Sequence, residues 1–289
     1  NDEPEWGHGQ PEKCRQLLDV LMPGASTHPL RQRYDKRRFF FSGTPYGDFD
    51  QVAAEASGNY LKQYKLLLNF GWNTMIPEDY EKLKDFVAGG GILFSGLPQF
   101  STHIKRDFLK DMQDLSLWQN GDLAELCGVR ISGKTTTPFK GVWNAAEREK
   151  FIEPELSRLP SDSPDEDGPC FLANTELAGA EPVAWDADSG LPVIVRHKFG
   201  RGEVYLVCAW AYPGHETLSG LVSAWTAKLA EEQRGVIYVE DPSREVFWNV
   251  WEENENTHKI MLLNTDWASP GTSKKITVHS PELEFITEI

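Results

Sequence analysis

Residues 89–99 read GGGILFSGLPQ. Three glycines lead into an apolar strand, Ile92-Leu93-Phe94, which stops at Ser95-Gly96 in a proline-marked loop. A short apolar run without alternation, bounded by turn residues, reads as a strand buried on both faces. Just upstream, IPEDYEKLKDFVAGG predicts a helix. Pro77 suits its first turn and acids sit there. Tyr80, Leu83, Phe86 and Val87 share one face, and glycines end it. KLLLNFG (65–71) is a second strand of the same type, and RRFFF (37–41) a third. SGTPYGDFD follows the latter as a loop, with a helix expected over 52–64. The order strand, helix, strand, helix, strand implies an α/β fold with a flavodoxin-like parallel sheet and flanking helices. The loops after KLLLNFG and GILFSG then meet at the carboxyl edge of the sheet, where open α/β folds bind ligands.

The 289 residues allow one large domain or two ordinary ones, and 40% hydrophobic with 25% charged residues is a globular balance. A net charge of −15 argues against nucleic acid and against an anionic membrane surface as partners. No apolar run reaches the roughly 20 residues of a membrane helix. The opening NDEPEWGHGQPE contains no secretory core, so either a leader has been removed or the chain begins inside a larger protein, the second being favoured. The expected setting is soluble, bacterial cytoplasmic or secreted. Cys14, Cys127, Cys170 and Cys208 are widely spaced, with no CxxC, and are read as packing residues.

Further along, PEKCRQLLDVLM (11–22) has helical spacing, 101–128 is expected to be helical in part, and a polar, irregular region follows. PCFLAN and EPVAWDADSGLPVIVRHKFGRGEVYLVCAW read as strands with turns at Ser189-Gly190 and Gly200-Arg201-Gly202. LSGLVSAWTAKLAEEQ (218–233) predicts an amphipathic helix. From Val236 the chain is β throughout, which gives two domains: an α/β domain over 1–235 and a small antiparallel β-sheet or sandwich domain over 236–289.

Ser95 sits where a hydrolase nucleophile would, on the turn after a buried strand. The G-x-S-x-G elbow fails, however, because Phe94 precedes the serine. VYLVCAWAYPGHE places His215 and Glu216 just past another apolar strand. This layout resembles a class I glutamine amidotransferase, in which a cysteine occupies the elbow and a His-x-Glu pair follows a later strand. Here the elbow carries Ser95-Gly96, and His215 and Glu216 are adjacent. The stretch from Leu61 to Gln99 resembles the amidotransferase-like module of β-galactosidases called the trimerisation domain, through Tyr64, Tyr80, Leu83, Phe86, Val87, Gly89, Gly90 and Leu93. Gly200, Gly202, Val204 and Leu206 match a later strand of that family. The resemblance covers 37–235 and implies a non-catalytic module of a glycoside hydrolase-related protein, with a homo-oligomer or an adjoining catalytic domain as partner. No (β/α)₈ barrel is visible to hold the carboxylate pair of a glycosidase.

Trp72, Trp143, Trp210, Trp248, Trp251 and Trp267 invite a carbohydrate reading, although each is expected to pack. Trp72 is the exception, directly after a strand at the ligand edge. The expected ligand-binding set is Tyr46, Trp72, Asn73, Gln99, His215 and Glu216. No His cluster has metal-ligand spacing and no phosphate-binding glycine motif occurs, so no metal or cofactor is assigned. Three functions stay open: the non-catalytic module, a divergent hydrolase using Ser95, His215 and Glu216, and a stand-alone sugar-binding module built on Trp72 and Tyr46.

Overall fold

The computed structural model describes residues 17, 43–71, 74–102, 115–151, 168–254, 257–264, 271–281 and 284–288. The expected strand 37–41 and most of the helix 11–22 lie outside them; Leu17 is helical and buried. The chain divides into two compact units. The first joins Asn1–Val20 to Ala53–Thr226, and the second joins Leu21–Val52 to Ala227–Ile289. Sequence reading sets the boundary near 235 and assigns everything before it to the first domain.

The hairpin β1 (Gly43–Thr44) and β2 (Gly47–Asp48) belongs to the second unit. Where the sequence predicts a long helix over 52–64, the structure has a single turn, α1 (Gly58–Leu61). Ser57 caps that turn by accepting the Tyr60 N–H, so Gly58 starts a helix instead of interrupting one.

The expected strand, helix and strand follow as β3 (Leu66–Asn69), α2 (Pro77–Ala88) and β4 (Ile92–Gly96), with β3 and β4 parallel. Tyr80, Leu83, Phe86 and Val87 form the buried face of α2. The glycine run is the helix exit. Gly90 takes a φ of +110°, and its N–H reaches the Val87 carbonyl at 2.9 Å while that of Gly91 reaches Phe86 at 3.0 Å. This is a Schellman closure, which needs a residue free to adopt positive φ.

A short strand β5 (Asp122–Leu123), a helical turn α3 (Ala124–Cys127) and a strand β6 (Val129–Pro138) come next. The sequence reading places an irregular stretch at β6. Its first residues nevertheless alternate, with Val129 and Ile131 buried and Arg130 exposed. β7 (Trp143–Ala145), β8 (Phe171–Leu177), β9 (Glu181–Asp186), β10 (Pro192–Phe199) and β11 (Gly202–Val207) follow. The main sheet has the order β3-β4-β11-β10-β9-β7, and β5, β6 and β8 form a second sheet.

The main sheet is mixed. β3, β4 and β11 are parallel neighbours, whereas β10, β9 and β7 each pair antiparallel. The flavodoxin-like parallel sheet expected from sequence is thus parallel only in part: the two-residue turn at Gly200-Arg201 sends β10 back as β11, which only an antiparallel pair can do. Gly202 lies at the join. A Cβ there would stand 2.2 Å from the Gly91 carbonyl oxygen and 2.3 Å from that of Val87.

The helix α4 (Glu216–Gln233) closes the first unit and runs into the second. It is buried all round instead of amphipathic: from Leu218 to Leu229 only Gly220 and Lys228 are partly exposed. Ser219 and Thr226 donate their hydroxyls to the helix carbonyls of Glu216 and Val222. Among the described residues no helix is long and apolar enough to cross a membrane.

The second unit continues with β12 (Tyr238–Glu240), β13 (Val246–Asn254), β14 (Thr257–Asn264), β15 (Lys275–His279) and β16 (Glu284–Glu288). They form sheets β14-β13-β1-β2 and β12-β15-β16, as the β-rich tail predicts. The sheets share a core of Val239, Val246, Trp248, Ile276 and Val278. The segment read as a loop at 42–50 contributes two strands because Thr44 pairs with Trp248 of β13. The Trp248 indole covers Gly47 and donates to the Pro45 carbonyl at 3.0 Å.

Gly202→Ala is expected to destabilise the protein by about 2–3 kcal/mol, because the obstructing atoms are backbone. Gly235→Ala, whose Cβ would meet nothing closer than 3.8 Å, is expected to stay within about 0.5 kcal/mol of the parent. Urea melts of the two variants provide the check.

Candidate functional site

Ser95 and Asn69 are paired across the carboxyl ends of β4 and β3, with Leu206 of β11 on the other side. The Ser95 side chain is fully buried. Its hydroxyl accepts from Asn69 Nδ2 at 3.1 Å and faces the carbonyls of Gly96 and Asn69 at 3.2 and 3.4 Å. Asn69, absent from the sequence-based site, is thus the main partner of Ser95. A polar residue directly after the leucine run of KLLLNFG is the sequence signal for it.

After Gly96 the chain turns into a short 3₁₀ segment, Leu97–Phe100, buried throughout. Gln99 donates to the Gly71 carbonyl at 3.1 Å and so ties this turn to the loop after β3. Pro213 packs against Gly96: a Cβ on Gly96 would lie 2.6 Å from Pro213 Cγ and 2.5 Å from Gln99 Oε1. The residues Cys208–His215 are all buried. The elbow is therefore packed over by the segment that carries the histidine.

His215 is fully buried and caps α4. Its carbonyl accepts from Leu218 and Ser219 at 2.8 Å, and its Nδ1 accepts the Thr217 N–H at 3.1 Å. An Nδ1 that accepts leaves the proton of neutral imidazole on Nε2. Glu216 is the first helical residue and is exposed, so the adjacent pair diverges. Ser95 makes its hydrogen bonds with Asn69 and Gly96, and among the described residues none joins it to His215.

The other expected site residues fall elsewhere. Trp72 and Asn73 lie outside the described residues. Tyr46 belongs to the second unit, where Arg244 stands 5.4 Å from its ring centroid. Burial raises its phenol pKa, against the opposing pull of Arg244. Trp143, Trp210 and Trp248 are buried and pack, as expected. Cys14 and Trp267 are also outside the described residues, and among those described no His, Cys, Asp and Glu group could hold a metal ion.

No protein-family model matches the sequence, and no curated protein matches it. Solved structures do. A β-galactosidase from Bacillus circulans sp. alkalophilus is 16% identical with a TM-score of 0.51, over 100% of this chain and 37% of that one. A GH42 β-galactosidase from G. stearothermophilus matches over 79% of this chain and 30% of its own, at 16% identity and a TM-score of 0.46. A β-galactosidase from Rahnella sp. R3 matches over 85% and 35%, at 16% identity and 0.45. The chain thus spans about a third of the length of these enzymes. The first match shows a common fold.

Two outcomes follow from this packing. Ser95→Ala removes the acceptor of Asn69 Nδ2 and is expected to cost about 1–3 kcal/mol, while His215→Ala loses a helix cap at about 1 kcal/mol and His215→Asn recovers most of it. Thermal melts of the three variants test this. Burial also pushes the Cys208 thiol up to about 12 and raises that of Cys127 further. Both favour the protonated thiol when folded, so their contribution to stability is full below an ordinary thiol pKa near 9 and is lost as pH rises toward 12. Neither is expected to react with an aromatic disulfide reagent at pH 8 until denaturant is added.

Proposed function

We propose that this chain is a non-catalytic, amidotransferase-like module of a carbohydrate-active, glycoside hydrolase-related protein. It serves oligomer assembly or shapes the active site of an adjoining catalytic domain. The observation that carries this reading is the occupied elbow: Ser95 is committed to Asn69, His215 to the first turn of α4, and Pro213 fills the space above Gly96. A nucleophile and its base need hydrogen-bond contact and access to substrate. The parallel strand-helix-strand core, β3, α2 and β4, supports the amidotransferase-like reading, and the antiparallel strands of the other half depart from it. The common fold with part of a β-galactosidase supports the carbohydrate setting.

Sedimentation velocity at micromolar concentration is expected to give a dimer or trimer. The same preparation is expected to turn over neither nitrophenyl β-galactoside nor glutamine. A monomer would overturn the assembly role. Turnover of either substrate that disappears in His215→Ala would establish the divergent hydrolase instead.

A further inference from the structure

Trp251 stands apart from the other described tryptophans, with 43% of its surface accessible. Its position in the second unit explains why. Trp248 and Val250 of β13, with Ile260 and Leu262 of β14, turn toward the core. Successive side chains alternate between faces, so Trp251 points outward, at the exposed end of a face on which Phe247 and Asn249 are buried. Its neighbours there follow from the register. Lys259 is directly opposite, and Met261, paired with Asn249, is one diagonal step away. Lys259 Nζ reaches Glu253 Oε1 at 2.6 Å, and both side chains are well exposed, at 62% and 49%. Met261 is 44% accessible.

An indole exposed at the end of a sheet face, beside a thioether and framed by an exposed ammonium and carboxylate, has a particular chemistry. The ring offers an apolar plane. Its rim offers donors and acceptors that exchange partners with water at little cost, since an exposed ion pair is weakly held. A pyranose has the complementary surface: a face of C–H groups bounded by hydroxyls. Size decides against a macromolecule. Trp251 and Met261, each less than half exposed, present roughly 200 Å² of apolar surface, against about 800 Å² per partner in a stable protein interface. Charge decides against an acidic sugar, because the net charge is −15 and the hairpin itself carries Glu252 and Glu253.

We infer that the outer face of the β13–β14 hairpin is a carbohydrate-binding platform, in which Trp251 stacks on a neutral pyranose of an oligosaccharide while Lys259 and Glu253 bond its hydroxyls. The platform does not rest on the assembly reading, since it lies on the unit without the elbow and requires no oligomer.

The test is a ¹H–¹⁵N NMR titration of the full chain, following indole N–H signals, with cellotetraose and β-1,4-galactotetraose as probes. Trp251→Phe identifies the Trp251 signal by its loss. Addition of one or both sugars is expected to shift that signal saturably, with half-saturation at about 1 mM. Trp251→Ala is expected to weaken binding by about tenfold or more, measured by calorimetry, and Trp251→Tyr to retain most of it. An unshifted Trp251 signal with both sugars at tens of millimolar overturns the proposal. So does unchanged affinity in Trp251→Ala, or a Trp251→Ala variant whose only change is a lower sedimentation coefficient, which would make this face a protein contact.

Discussion

The first unit depends on one close contact, where the end of α2 meets the turn between β10 and β11. Gly202 has no side chain, and so its Cα comes to rest against the carbonyls of Val87 and Gly91. Backbone bonds seal the contact: Arg201 N–H donates to Ala88, Glu203 N–H to Gly91, and the Arg201 guanidinium to Gly89. This junction sets β11 beside β4 with Glu203 opposite Ile92. Among the described residues, β11 is also the only strand of the main sheet with a parallel neighbour on one side and an antiparallel neighbour on the other. Move the glycine and both halves of the sheet lose their common member.

The local chemistry of the fold was legible where it was self-contained. The α2 sequence carries its own start, face and stop, and so IPEDYEKLKDFVAGG reads correctly as a helix. The tail strands alternate and have turn residues between them. What depends on partners did not show. β6 looks irregular because only its first residues alternate, and Gly133 interrupts the pattern. The hairpin around Tyr46 reads as a loop because its strands are two residues long and gain their meaning from Trp248, two hundred residues away. α4 reads as amphipathic because its Ser and Thr residues look solvated, yet Ser219, Ser223 and Thr226 are buried, and the hydroxyls of Ser219 and Thr226 bond carbonyls of their own helix.

The candidate site shows the same division. That Ser95 and Gln99 fall at and just after the carboxyl end of β4 follows from where the strand stops, which the sequence shows. Their use does not follow. Asn69, Gly71, Pro213 and Thr217 are the partners that the site residues meet, through hydrogen bonds and packing that residue types alone leave open. A serine at an elbow and a histidine before a helix have the composition of a reactive pair and the bonding of structural caps. Sequence singles out Trp72, which lies outside the described residues; among those described Trp251 is the most exposed tryptophan, because strand parity and register decide which ring reaches solvent.

The placement of β11 has a consequence for how the chain comes together. β3, α2 and β4 are close in sequence and can associate early. The neighbour that completes β4 arrives only after the whole of β5 to β10. Until then the apolar strand Ile92-Leu93-Phe94 has one open edge. Such long-range pairing is slow to form, and an unpaired apolar edge recruits other chains. During synthesis the hazard therefore concentrates in a single interval, which ends when the β10–β11 hairpin folds locally and docks as one piece.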